Sequence, residues 1–411
     1  MRRAPGNVGV TGMGVVSAIG SSAEAFFGSL VAGRSGVDRL AFRTDTVAAS
    51  VDFPSEAHFS KLKLATFDRF AQFALVAADE AVREAGLAAE DLKGSRVGIY
   101  FGSGVGGTQA IENCVRLFFD PAQGRVSPMT VVLSMANAAA AHISLRYGVR
   151  GPVLTYSVAC ASAAVAIGEA FRAIRDGYLD LAIVGGSEAL LTPASVAGWS
   201  AMRLLAPTDE RFPAASCRPF SRNRSGLVLG EGAGALVLEE TGHAVRRGRT
   251  PMAEIAGYGV ASDASHLTKP SAEGQAAAMR EALADAALLP SAIGYINAHG
   301  TATLIGDATE TASIRGVFGS DADRVAVSST KALHGHLLGA SGAVELIAAI
   351  MALRTGTIPP TCHYEEPDPD CDLDYVPNVA RKNVPLQAVM SNSFAFGGTN
   401  AVLIARAASA H

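Results

Sequence analysis

An α/β fold with sheets buried between helical layers is predicted by three observations. Short β-branched runs alternate with segments of helical period along the whole chain. Several runs end in Gly-rich turns, and no polar, low-complexity linker interrupts the alternation. The runs read as strands in this order: a first strand from Val8 into a Gly turn, then 97–101, 153–158, 181–184, 234–238, a strand opened by Met252, 293–296, 325–328, 388–391 and 401–405. Most are continuously apolar, the pattern of strands covered on both faces. Helical period and length mark 67–86, 161–175, 274–287 and 342–353. The best seam is 246–251, where a helical pattern ends in Arg-Arg-Gly-Arg-Thr-Pro, and no internal repeat is evident.

The 411 residues suit one large domain or two intimately packed halves. With 49% hydrophobic and 18% charged residues, much of the surface is expected to be covered between layers or subunits. A net charge of -4 gives no reason to expect a nucleic-acid partner. The five cysteines are odd in number and lack C-x-x-C spacing, which favours a reducing, cytoplasmic setting over zinc or a disulfide framework. Met1-Arg-Arg before 8–20 resembles a weak signal peptide, but Gly9, Thr11, Gly12 and Gly14 break up its apolar core. The segment 126–145 is uncharged and long enough to span a bilayer. Pro128, Ser134, Asn137, His142 and Ser144 would be unsatisfied in lipid, so a helix buried in the protein or at a dimer interface is expected, and no membrane span.

Cys160 lies where the run 153–158 gives way to the Ala-rich helical pattern 161–175. A thiol at the first turn of a helix meets free N–H groups and the positive end of the dipole, and both favour thiolate. By residue type alone, a Cys among Ala and Val is a small buried hydrophobe. Its company changes that reading. His299, in Asn297-Ala-His-Gly300-Thr301, follows the run 293–296, and His336, in His334-Gly-His-Leu-Leu-Gly339, follows 325–328. One thiol and two imidazoles at the ends of strand-like segments fit a site assembled from loops on a sheet scaffold.

A rival signal is Gly102-Ser-Gly104-Val105-Gly-Gly107, which matches G-x-G-x-x-G after a strand. Only 12 residues separate Gly107 from Asp120, too few for the helix and strand that should present a ribose-binding acid. A tight turn lining a pocket or pressed against another backbone accounts for the glycines equally well.

Six motifs occur in register: Val10-Thr-Gly-Met-Gly-Val15; Ser157-Val-Ala-Cys160-Ala-Ser162; Arg218-Pro-Phe220 through Gly230-Glu-Gly-Ala-Gly234; Asn297-Ala-His-Gly-Thr-Ala-Thr303; Ser329-Thr-Lys331 through His336 to Ala340; and Asn392-Ser-Phe394-Ala-Phe396-Gly-Gly-Thr-Asn400. Over nearly its whole length the chain resembles the elongating β-ketoacyl-acyl carrier protein synthases of the thiolase-like superfamily. The resemblance implies a layered αβαβα fold of two similar halves, 1–250 carrying the nucleophilic Cys and 251–411 the two His. It implies condensation of an acyl thioester with malonyl-acyl carrier protein, in fatty acid or type II polyketide or polyene synthesis. No cofactor beyond the carrier's phosphopantetheine and no metal are implied. Cys160 resembles the acyl-accepting nucleophile, and His299 and His336 the pair that promotes decarboxylation. The backbone N–H groups of Cys160 and Phe396 would form an oxyanion hole, with Phe396 also gating the cysteine. Thr301, Thr303, Asp307 and Glu310 match supporting positions. Lys331 and Glu345 match a further pair, which either tunes a histidine or is a structural buried pair.

The remaining expectations concern substrate and partners. Val105 matches a position at the bottom of the acyl pocket, near a dimer interface. Ala395 replaces a family glycine, so a positive φ there would cost about 1 kcal/mol more. His334 also departs from the family and is expected to be exposed or satisfied in a loop. The segment 129–141 departs too, which leaves room for a specialised pathway. Arg203 and Arg125, and more weakly Lys61 and Lys63, are candidate docking residues for an acidic carrier protein. A homodimer, or a heterodimer with a related chain-length subunit, is expected. A non-catalytic chain-length subunit would usually lack the nucleophile, a degradative thiolase would need a second cysteine near 393–398, and an initiating synthase would carry Asn in place of His336. A cysteine hydrolase would need neither the second His nor the Phe gate.

Overall fold

The computed structural model describes residues 6–120, 122 and 124–408. Ten strands form the main sheet: β1 (Val8–Val16), β2 (Val97–Gly102), β3 (Val153–Tyr156), β4 (Leu181–Glu188), β5 (Gly232–Glu240), β6 (Ala253–Ser262), β7 (Ile293–Asn297), β8 (Ala326–Ser328), β9 (Ala388–Phe394) and β10 (Thr399–Arg406). Their order is β3-β2-β4-β5-β1-β6-β10-β9-β7-β8. The two ends of that list are one arrangement used twice. In β1–β5, β2 runs parallel to β3 and β4, while β5 pairs antiparallel with β4 and β1. In β6–β10, β7 runs parallel to β8 and β9, while β10 pairs antiparallel with β9 and β6. The half-sheets join where β1 pairs antiparallel with β6, Val8 opposite Ile255.

Alternation along each strand divides the apolar residues between layers. On β4, Ile183 packs under helix α1 (Arg69–Ala85), together with Ile99 and Val237. The next residue, Val184, faces the central core, which contains α2 (Ser162–Arg175) and reaches Val389 and Leu403 of the other half. Beyond that half-sheet, α3 (Ala272–Asp285) and α4 (Leu304–Phe318) cover Ile296, Met390 and Ile404. A fifth helix, α5 (Ser341–Thr355), lies beside α2 in the central layer. With Leu338 it is long and apolar enough to cross a membrane, yet every residue from Ser341 to Leu353 is buried. These layers are the αβαβα arrangement that the resemblance implies.

The halves also repeat a packing device. A Cβ at Gly12 would lie 2.0 Å from the Ala81 carbonyl oxygen of α1, and one at Gly14 would lie 2.1 Å from that of Ala77. On β6 the same is true of Gly257 and Gly259 against α3, at 2.3 Å from Ala282 O and 2.1 Å from Ala278 O. Gly-x-Gly-Val at 12–15 and 257–260 is thus a short internal echo in the sequence, too brief to register as a repeat.

Several expectations change. The segment 126–145 is not one helix but two, Thr130–Ser134 and Ala138–Tyr147, separated by Met135–Asn137. Ala138, Ala139, Ala140 and Ile143 are buried, whereas Val131, Met135 and Leu145 remain exposed in this chain. Val8–Val16, the supposed leader core, is a fully buried strand; Met1–Arg3 lie outside the described residues. The glycines of 102–107 serve close packing: a Cβ at Gly102 would meet Ala163 N at 2.4 Å, and one at Gly107 would meet Leu133 O at 2.1 Å. The helix Thr108–Phe119 and a small three-stranded sheet were not legible as periodic runs.

Gly12→Ala and Gly257→Ala should each force a helix off its half-sheet. A loss of about 1–3 kcal/mol is expected, read as a lower urea midpoint with unchanged slope. An unshifted midpoint would show that the helices can yield.

Candidate active site

Two loops at matching places in the halves deliver the thiol and one imidazole. After β3 the chain passes through Ala159, at φ 43°, into a 3₁₀ turn, Ala159–Ala161, that leads into α2. After β8 it reaches Leu338, at φ 44°, and the 3₁₀ turn Leu338–Ala340, which leads into α5. Two non-glycine residues held at positive φ, each beside the reacting groups, mark backbone that the surrounding packing fixes. The helix starts abut closely: a Cβ at Gly342 would lie 2.9 Å from Ala164 N. Cys160 and the His336 segment are thereby brought face to face.

His299 comes from the turn after β7. Glu310 of α4 holds that turn, accepting the N–H groups of His299 (2.9 Å) and Gly300 (2.7 Å) and an Asn392 amide hydrogen (3.0 Å). Phe220 donates its N–H to buried Asp307 at 2.7 Å and stacks on Tyr375 at 4.1 Å. Its ring leaves room for only a glycine at position 300, where a Cβ would lie 2.9 Å away. Thr303 caps α4 by accepting from Gly306 N at 3.2 Å, and its hydroxyl lies 3.0 Å from that of Thr301.

The three groups form one cluster. His336 Nε2 lies 3.0 Å from Cys160 Sγ, and its Nδ1 lies 2.8 Å from Ser341 Oγ. The His299 ring stands edge-on to His336, with centroids 5.2 Å apart. Sγ and one nitrogen of each histidine all lie within 4.8 Å of one another. All three residues are at most 9% exposed. They open into a cavity of about 330 Å³, which Thr301, Thr303, Phe394, Phe396, Trp199, Arg203 and Lys269 also line.

Burial dominates the electrostatics. It pushes the Cys160 thiol up to about 12, against the opposing pull of the Lys331 ammonium and the Phe396 N–H. It pushes both histidines well below the ordinary imidazole range, and nearby Lys331 adds to the effect. At neutral pH the site therefore rests as a thiol beside two neutral imidazoles. Lys331 is ion-paired with Glu345, both buried; burial raises that carboxylate to about 7 while Lys331 opposes the rise. The pair is structural by its burial, and its ammonium also bears on both histidines.

The geometry bears on five expectations. Cys160 lies in a 3₁₀ turn ahead of α2, and burial pushes its thiol up, in the direction opposite to the expected thiolate. His334 is wholly buried, 2.9 Å from Thr330 Oγ1 and tilted against Phe26, and burial pushes it down to about 3. Ala395 does not adopt positive φ, whereas Gly397 (88°) and Gly398 (79°) do, so the alanine costs nothing in this conformation. Val105 does not line the cavity and is 52% exposed. Of the proposed docking residues, Arg203 lines the cavity, whereas exposed Arg125, Lys61 and Lys63 do not. Sequence reasoning missed Ser341, Trp199 and Lys269. Ser341 falls five residues after His336 at the start of an apolar helix, which is a legible signal; nothing in the sequence marks the other two.

Comparison with known proteins agrees with this geometry. Residues 6–244 match the family described as "Beta-ketoacyl synthase, N-terminal domain" and residues 252–365 its C-terminal domain. The chain is 44% identical over 402 residues to Nodulation protein E of Rhizobium sp. (strain N33), covering 97% of this chain and 98% of that protein. It is 41% identical over 404 residues to 3-oxoacyl-[acyl-carrier-protein] synthase 2 of Staphylococcus aureus (strain N315), covering 96% and 97%. The solved ishigamide ketosynthase/chain length factor superposes with a TM-score of 0.92 at 35% identity, over 99% of this chain and 100% of that one. The chain belongs to the β-ketoacyl synthase family, and with it to the thiolase-like superfamily.

Proposed function

We propose that this protein catalyses the decarboxylative Claisen condensation of an acyl thioester with malonyl-acyl carrier protein, giving 3-oxoacyl-acyl carrier protein, in fatty acid or type II polyketide synthesis. The observation that carries the reading is the buried Cys160–His336 contact with His299 beside it. A non-catalytic chain-length subunit has no use for that contact.

In the first half-reaction the Cys160 S–H transfers its proton to His336 Nε2 as Sγ attacks the acyl carbonyl. The N–H groups of Cys160 and Phe396 receive the developing oxyanion. The carrier thiolate then leaves with the proton from His336. In the second, the malonyl C–C bond breaks, carbon dioxide departs, and the electron pair moves onto the thioester oxygen. One N–H from each neutral imidazole stabilises that enolate more than the ground state. Its carbon attacks acyl-Cys160, and the expelled thiolate takes a proton from solvent. Between the two half-reactions His336 gives its Nδ1 proton to solvent and takes one at Nε2, and the Ser341 hydroxyl suits both tautomers, because it can accept from Nδ1–H or donate to Nδ1. Burial, reinforced by Lys331, keeps the histidines neutral, and therefore able to offer a lone pair in one step and an N–H in the other.

The carrier protein is the expected partner, a reading supported by the name of the Staphylococcus aureus relative. Arg203 and Lys269 at the cavity mouth offer positive charge to its acidic surface and to the phosphopantetheine, with Arg125, Lys61 and Lys63 further candidates. A dimer, with an identical or related subunit, is supported by the exposed apolar residues Val105, Phe118, Phe119, Val131 and Leu145. Leu154, on the free edge strand β3, is 43% exposed as well. Val105 would then reach the acyl chain only in the assembled dimer. A cytoplasmic setting is supported by the five free thiols.

Three outcomes follow. Cys160→Ala should abolish condensation while leaving malonyl decarboxylation measurable. His299→Ala should lower decarboxylation about 10²–10³-fold yet spare acyl transfer to Cys160, whereas His336→Ala should lower both. Radiolabelled acyl transfer to the Cys160→Ala variant at the wild-type level would end the assignment. Next, because burial pushes the thiol up, alkylation of Cys160 by iodoacetamide in His336→Ala, where no imidazole takes the proton, should climb with pH from 7 to 9. A plateau by pH 8 would mean a thiolate at rest. Finally, sedimentation at micromolar concentration should give a dimer, alone or with a related subunit, and a stable monomer in both cases would contradict that expectation.

A further inference from the structure

The chain's single tryptophan stands against the gate. Trp199 lies near the end of the helix Pro193–Ala201, is half-buried, and lines the same cavity as Cys160 and Phe396. Its ring system is nearly parallel to that of Phe396, at 22°, with centroids 6.0 Å apart. An offset stack of this kind is attractive beyond its buried area.

Backbone hydrogen bonds also hold the Phe396 segment: Ala395 donates its N–H to Thr399 O at 2.9 Å, and Asp263 donates to Gly398 O at 2.8 Å. Gly397 donates its N–H to Leu267 O at 2.7 Å, and Gly398 to Ala395 O at 3.0 Å. Both glycines sit at positive φ, and a Cβ at Gly397 would meet nothing within 4 Å. The backbone is thus held by hydrogen bonds, and the ring that packs on the Phe396 side chain is the indole. The same residue's N–H is directed at Cys160.

We infer that Trp199 is a positioning residue: its stack on Phe396 holds the gate shut over Cys160 and discriminates against acyl chains too long to fit until it opens. A short acyl group is loaded with the stack intact. A long one must separate the two rings first, so loading it forfeits the stacking interaction. The inference rests on the acyl-enzyme reading above and concerns the order in which chains gain entry.

The test compares acylation of Cys160 by acetyl-pantetheine and dodecanoyl-pantetheine, followed by intact-mass spectrometry in single turnover. In Trp199→Leu the dodecanoyl-to-acetyl rate ratio should rise about two- to tenfold, the range expected for one aromatic pair. Trp199→Phe, which keeps an aromatic face, should stay closer to the wild-type ratio. Unchanged thermal melting of both variants controls for the fold. An unchanged or lower ratio in Trp199→Leu overturns the inference. The wild-type protein offers a second measurement that needs no variant at position 199. Dodecanoylation should shift or dequench its tryptophan emission and acetylation should not, and identical spectra in the two acyl-enzymes would overturn the proposal. If neither thioester acylates Cys160 in the wild type, it is the reaction assignment that falls.

Discussion

The close meeting of two helix starts is the constraint on which the rest depends. Sγ of Cys160 can lie 3.0 Å from His336 Nε2 only if α2 and α5 enter the central layer almost in contact. Small residues make that approach possible. Besides Gly342 against α2, a Cβ at Gly186 of β4 would sit 2.7 Å from Gly339 O, and one at Gly234 of β5 would sit 2.9 Å from Val344 N. Ala163, Ala164, Ala340 and Ala343 fill the remaining space without separating the backbones. Buried Glu188 ties this region to the turn after β2, accepting from Gly104 N (2.6 Å), Val105 N (3.3 Å), Ser103 Oγ (3.2 Å) and Gly339 N (3.1 Å).

The same burial sets the chemistry. In a dry site an unpaired charge is costly, so the thiol and both imidazoles rest neutral and the one ammonium among them is paired with Glu345. Neutral imidazoles serve thioester chemistry well, because each keeps one lone pair and one N–H. Charge then develops where N–H donors already point, and little reorganisation is needed when it does.

Much of this was legible in the sequence, for identifiable reasons. The strands 97–101, 181–184 and 388–391 are fully buried, so their continuous apolar runs mark them and only their ends move. Cys160, His299 and His336 could be found because each follows such a run. What stayed hidden depends on tertiary contact. The charge state of Cys160 is decided by dehydration, which its helical neighbours in sequence do not reveal. The conformation of Ala395 depends on a hydrogen bond to Thr399 O across the hairpin. The twofold architecture is carried by pairing order and by two Gly-x-Gly contacts, neither of which yields a visible repeat. The segment 126–145 lost its continuity at Met135–Asn137, where an uncharged composition says nothing of the break.

The most direct test of the central claim is a sequential mass measurement on the wild-type protein. Acyl-carrier protein is added first, the acyl group is located by peptide mass spectrometry, and malonyl-carrier protein follows. The acyl mass should appear on Cys160 alone, then disappear as an equal amount of 3-oxoacyl-carrier protein forms. An acyl group on another residue, or its release as free acid when malonyl-carrier protein is added, would contradict the mechanism.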